Sequence, residues 1–289
     1  MNTSAIETIV PNHRGSKARV VHATRSVNRV QPSLRCAAAA WLVVAIAGQL
    51  LFATYVALFY GLSAAQGHPE RWNEVLDTGG YKPGDTSANL VLASHLLFAV
   101  AVMLSGALQL VPAIRSRAPR FHRWNGRFFV ISAALEGAGG FFMVWTRATP
   151  GDLGQHLGIS LNAILIVAFA YLAWHYARAR RFDTHRRWAL RLFLVVSGVW
   201  FFRIGLMLWI VANHGPVGFD AKTFTGPILT FLSFAQYLVP LGVLQLYFRA
   251  QSSRSAYAQH AMAGVLAVLT LATMAGIASA AAILWLPHL

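Results

Sequence analysis

Four histidines fall one to each of four consecutive apolar segments: His95, His122, His156 and His185. Neutral imidazole offers a lone pair to a metal and titrates near neutrality, so such residues are candidate ligands or proton carriers. Two further ionisable side chains share these segments, Glu136 in the third and Arg203 in the fifth. Charges within a membrane are expensive unless they are paired or used. What these six residues can do depends on the elements that carry them.

Those elements are membrane helices. The chain has 289 residues, of which 56% are hydrophobic and 11% charged, and its mean hydropathy is +0.52. Soluble domains carry about 25% charged residues, so a water-soluble globule is excluded. Apolar segments at 36–62, 88–111, 121–145, 156–177, 187–212, 226–248 and 258–286 each meet the length of about 20 residues that a span requires. Their continuous apolar character predicts helices rather than the alternating strands of a barrel. The expectation is an all-α integral membrane protein of seven transmembrane helices. Pro119, Asp152 and the Asp183–Thr184 pair mark the starts of the third, fourth and fifth. Trp41, Trp145, Trp174, Trp188 and Trp285 stand near segment ends, as aromatic belts do. The lone cysteine, Cys36, excludes an intrachain disulfide.

The connections carry a strong charge bias. Nineteen of the 24 Lys and Arg lie in the N-terminal tail and in or next to the even-numbered connections, against four in the odd-numbered ones, and only Arg203 lies deep inside a segment. The formal charge of +15 thus marks cytoplasmic loops rather than a nucleic-acid partner. The expected location is a bacterial inner membrane, with the N-terminus cytoplasmic and the C-terminus outside. Residues 1–35 read as a disordered basic tail near anionic lipid, and 36–289 as the seven-helix domain.

This topology assigns depth. His95 and His156 belong to the outer half, His122 and His185 to the inner face. The context Phe121-His122-Arg123-Trp124 is echoed by His185-Arg186-Arg187-Trp188. The echo suggests that the second to fifth segments are a duplicated hairpin forming a four-helix core. An axis along the membrane normal would set His95 opposite His156 and His122 opposite His185. Bis-histidine ligation of two b-type haems fits that order. Each histidine also has a bland reading, as an interfacial or hydrogen-bonded structural residue. His175 is a competing inner ligand, though about 100° around its helix from His156. Glu136 and Arg203 read as an ion pair joining the third and fifth segments, as a proton relay through Glu136, or as a haem propionate or anionic substrate held by the Arg203 fork. Gln109 and Gln245 read as interhelical hydrogen bonders. Gly137, Gly139 and Gly140 read as positions of close packing, of helices or of a flat macrocycle.

The run HRWNGRFFV, with LLFAVAVMLSGALQLVPAIRSRAPRF before it and THRRWALRLFLVVSGVWFFRIGL later, resembles a bacterial family of predicted multi-span membrane proteins known only as domain of unknown function 2306. The resemblance covers residues 90–250 and implies no activity. The order of one histidine on each of four helices is similar to the cytochrome b561 superfamily, which implies two haems and electron transfer across the bilayer. The leading expectation is therefore a di-haem protein with His95, His122, His156 and His185 on iron, a quinol or other small electron donor or acceptor as partner, and a transmembrane oxidoreductase activity. The rival is a haem-free small-molecule or proton transporter, or a sensor, using Glu136, Arg203 and His95. A structural membrane protein is the third.

Overall fold

A computed structural model describes residues 30–75, 80–147 and 149–289. Most of the basic tail expected over 1–35 lies outside the described residues, and the first helix already begins at Pro32. The long helices are α1 (Pro32–Ala65, with a π-turn at Ala57–Gly61), α2 (Thr86–Leu110), α3 (Pro119–Thr146), α4 (Leu153–Arg178), α5 (Phe182–Val196), α6 (Gly198–Ala212), α7 (Pro227–Ser252) and α8 (Ala256–Ala280), which continues as looser and tighter turns to His288. No strand occurs among the described residues.

Local chemistry sets the starts. Pro32, Pro119 and Pro227 occupy first-turn positions, where a missing N–H costs nothing. Asp85, Asp152 and Ser255 accept from backbone N–H groups three residues on, at 3.1, 2.9 and 3.3 Å. Each thereby satisfies a donor that the helix itself leaves open. Asp183 instead lies inside the first turn of α5, where it favours the positive end of the helix dipole without capping it.

Six helices are long and apolar enough to cross a membrane without a break. The seventh expected span is the pair α5 and α6, bent by 50° at Ser197. The Ser197 hydroxyl donates to Phe193 O at 2.7 Å. Such a bond competes with the helix ladder, and the following Gly198 adds freedom to bend. Gln49 of α1 then donates to the same hydroxyl at 2.9 Å and fixes the bend at mid-bundle.

Neighbours close a ring. α1 packs on α2 and α8, α2 on α3, α3 on α4, α4 on α5 and α7, and α6 on α7 and α8. The outer surface is apolar, with Leu97, Val268 and Leu271 each about two-thirds exposed, as lipid contact requires. The largest buried cluster joins α1, α6 and the end of α8 around Phe52, Tyr55, Trp200 and Trp285. After α1 the chain folds back as a short turn, Pro69–Glu74, whose Trp72 indole donates to Tyr60 O and Ser63 Oγ, both at 3.0 Å.

Candidate functional site

The ring encloses a cavity of about 290 Å³. It runs from loop residues Val75, Thr149 and Pro150 at one end of the bundle to Gln49 and Ser197 at the bend. His95 from α2, Glu136 from α3, Asn162 from α4 and Arg203 from α6 all line it. Chain direction explains why three of them meet at one depth. His95 lies nine residues after the start of α2, Glu136 ten before the end of α3, and Arg203 nine before the end of α6. At about 1.5 Å per residue each is about 14 Å from the same end of the bundle.

His95 Nε2 and Glu136 Oε1 are 3.2 Å apart. Beyond Glu136, the α3 backbone passes beside the imidazole at Gly139 and Gly140. A Cβ on Gly139 or Gly140 would reach the ring at 3.8 and 3.6 Å. Gly137, one residue beyond Glu136, brings α4 close, with Ala163 O at 3.3 Å from where a Cβ would stand. A methyl at Gly139 or Gly140 would meet the imidazole at ordinary contact distance, whereas Gly137 stands where α3 and α4 pack tightly.

The Glu136–Arg203 pairing is not observed. Glu136 is engaged by His95, and Arg203 meets no carboxylate among the described residues. Its guanidinium lies over the Phe52 ring at 5.2 Å and donates one long bond, 3.5 Å, to Val199 O. Buried polar atoms with no hydrogen-bond partner among the described residues include Asn162 Oδ1, Trp200 Nε1, Trp285 Nε1, His95 Nδ1 and Glu136 Oε2. All five belong to residues of this wall. Such clustering is a functional signal, because buried polar groups are ordinarily satisfied.

The outer histidines are not brought together. His156 is four residues into α4, edge-on to Trp145 at 5.9 Å and 3.5 Å from Thr149 Oγ1. His95 touches α3 at Glu136, nine residues from Trp145. Counted from the helix starts at Thr86 and Leu153, His95 is six residues deeper than His156, about 9 Å at the helical rise. Of the inner histidines, His122 and His185 each stand in the first turn of their helix. His185 Nδ1 bonds Ala173 O at 2.9 Å, while His122 Nδ1 has no partner among the described residues. No group of three or more His, Cys, Asp or Glu suited to a metal ion occurs among the described residues.

A family model described as predicted membrane protein (DUF2306) matches residues 92–239, slightly more than half of the chain. The chain belongs to this family. The matched span carries all six residues singled out by their chemistry, and the family description adds no activity to them. Neither a curated protein nor a solved structure matches the chain.

The rest of the cavity wall escaped the sequence reading. Tyr55, Tyr60 and Trp285 come from α1 and the end of α8, outside the matched span. Trp285 was expected in an interfacial belt, yet it is only 1% exposed and packs on Phe52 at 5.2 Å. Asn162 carried a usable signal, as a lone amide amid an apolar run. The two glutamines do bridge helices: Gln109 donates to His122 O at 3.0 Å, and Gln245 accepts from Arg191 at 3.1 Å.

Proposed function

We propose that the protein is a transporter or sensor whose working site is the intramembrane cavity lined by His95, Glu136 and Arg203. The observation that carries this is the 3.2 Å contact between His95 and Glu136 in the cavity wall. A carboxyl and an imidazole at that distance share one proton. The second carboxylate oxygen, Oε2, has no partner among the described residues. Its acceptor capacity is therefore available to an occupant or a water chain. Proton exchange at Glu136 would then be coupled to what the cavity holds. The charge bias of the loops supports a cytoplasmic N-terminus in a bacterial inner membrane, which opens the cavity toward the outside.

A hydrophobic carbodiimide, which modifies protonated carboxyls within membranes, tests this reading. Mass spectrometry should find Glu136 labelled in native membranes, more slowly at high pH. In proteoliposomes Glu136→Gln should abolish dye-reported proton movement while the protein still elutes as a folded peak. An unlabelled Glu136 with unchanged proton movement would sink the proposal.

A second reading keeps haem, on the inner pair. Its support is the Nδ1 bond of His185 to Ala173 O. That bond leaves Nε2 as a ligand atom, in the way backbone bonds orient metal-binding histidines. Against one haem on the outer pair stand the greater depth of His95 and the engagement of its Nε2 by Glu136. The two-haem, b561-like arrangement and its quinol partner therefore rest on the order of the histidines alone. α2 and α3 pack as a hairpin, as do α4 and α5, in keeping with a duplicated core. A reduced-minus-oxidised spectrum of protein made with ample haem decides it. A Soret band lost in His185→Ala supports haem, and no band removes it.

A further inference from the structure

The cavity wall is chemically two-sided. Arg203 supplies guanidinium N–H groups, which make one bond among the described residues, to Val199 O at 3.5 Å. That bond is long. Trp200 and Trp285, respectively 2% and 1% exposed, hold indole N–H groups with no acceptor among the described residues. An indole N–H can only donate. The three residues line the same cavity, with Trp200 next to the bend at Ser197 and Trp285 packed on the Phe52 ring that the Arg203 guanidinium covers. At that bend α6 begins, a 15-residue helix whose first turn lies at the cavity floor. Helix starts within a membrane favour anions. Glu136, the single acid in the wall among the described residues, is engaged by His95 and does not neutralise Arg203. Most of the remaining wall is apolar, with Phe52, Leu92, Met143 and Ile166 among its residues, and Gln49, Tyr55, Tyr60 and Asn162 add polar groups to it.

We propose that this cavity binds a small organic monoanion, its oxyanion held by Arg203 with indole N–H support and its apolar body against the Phe52 side. This deepens the function proposed above and rests on that reading. The charge is set at one because Arg203 is the cation of the floor and meets no carboxylate there. The wall's other arginine, Arg147, stands at the loop end and donates to Gly80 O. The size is set by a volume of about 290 Å³, which suits an occupant the size of a substituted benzene ring. Carboxylate and phosphate share the needed chemistry, and the apolar lining favours an organic body over free phosphate.

The probes are benzoate, its neutral isostere benzamide, and inorganic phosphate, each titrated against the purified full chain in nanodiscs by thermal shift and by tryptophan fluorescence. Benzoate should raise the melting temperature and change the emission of the cavity tryptophans. Benzamide should do so at least about tenfold more weakly, and phosphate more weakly still. Arg203→Gln should weaken benzoate at least about tenfold and leave benzamide unchanged, with Arg203→Lys intermediate because a point charge cannot form the fork. If Arg203→Gln does not fold, Arg203→Lys carries the same comparison. Phosphate binding more tightly than benzoate overturns the organic assignment. Benzamide equal to benzoate, or no response to any probe, overturns the anion proposal. In both cases continued carbodiimide labelling of Glu136 leaves the working-site reading standing, and an unlabelled Glu136 with proton movement unchanged in Glu136→Gln shows that the reading itself has failed.

Discussion

Asn162 stands midway along α4 with its amide nitrogen 2.7 Å from where a Cβ on Gly198 would be, and its carbonyl oxygen has no donor among the described residues. A buried acceptor left without a donor costs about 1–3 kcal/mol. If the fold alone placed it there, an apolar residue of similar size would serve better. Asn162→Leu is therefore expected to leave the melting temperature unchanged or raise it, while proton movement in proteoliposomes falls. A lower melting temperature with unaltered proton movement would assign Asn162 to packing alone. The same logic separates what the sequence made legible. His95, Glu136 and Arg203 stood out because ionisable groups are rare in apolar runs. Their pairing did not, because Glu136 has both an imidazole and a guanidinium at its depth, and only the packing of α2 against α3 brings the imidazole to it.

At the level of elements, α4 is held to α7 by two devices. Asp152 caps α4 and accepts from the Thr230 hydroxyl of α7 at 3.1 Å. Its carboxyl is held below the ordinary aspartate value, first by the Gln155 backbone N–H and then with help from Thr230. A carboxyl whose pKa is lowered by folding stabilises above its unfolded value and loses that contribution as pH falls through the folded one. Asp152→Ala should thus cost about 1 kcal/mol at neutral pH. Its melting temperature should converge on that of the parent as pH drops below the ordinary aspartate value of 3.8. Four residues past Gly154, Gly158 lets the helices touch: a Cβ there would stand 3.1 Å from the Ser233 backbone carbon. Gly158→Leu should destabilise by about 1–3 kcal/mol, the usual cost of overpacking, seen as a lower unfolding temperature. A sequence reveals a cap such as Asp152 readily. It hides the bend at Ser197, because serine and glycine are ordinary residues of membrane helices and only the Gln49 bond shows what this pair does.

Across the whole molecule, apolar length and basic-loop counting anticipated the all-helical bundle, while the order of neighbours around the ring was beyond them. α8 closes against α1 and α6 through a contact no local pattern encodes, Gly276 beside Ile204 O. Orientation is open to a direct check. In a Cys36→Ser background, His68→Cys between α1 and α2 should react with an impermeant maleimide on intact cells. Ser116→Cys between α2 and α3 should react only after permeabilisation. The reverse pattern would invert the bundle.

The cavity ends near the middle of α1 and at the bend between α5 and α6. A charged occupant travelling from the Thr149 loop to that floor therefore crosses roughly half of the transmembrane field. One elementary charge through the full field is worth about 2.3 kcal/mol per 100 mV, so half the distance is worth about 1.2 kcal/mol, or about a sevenfold change in occupancy. With the loop end facing outward, an energised membrane that is negative inside would hold an anion out, and its collapse would let one in. The depth of a pocket among eight helices would thus make the molecule responsive to membrane voltage without any moving array of charges.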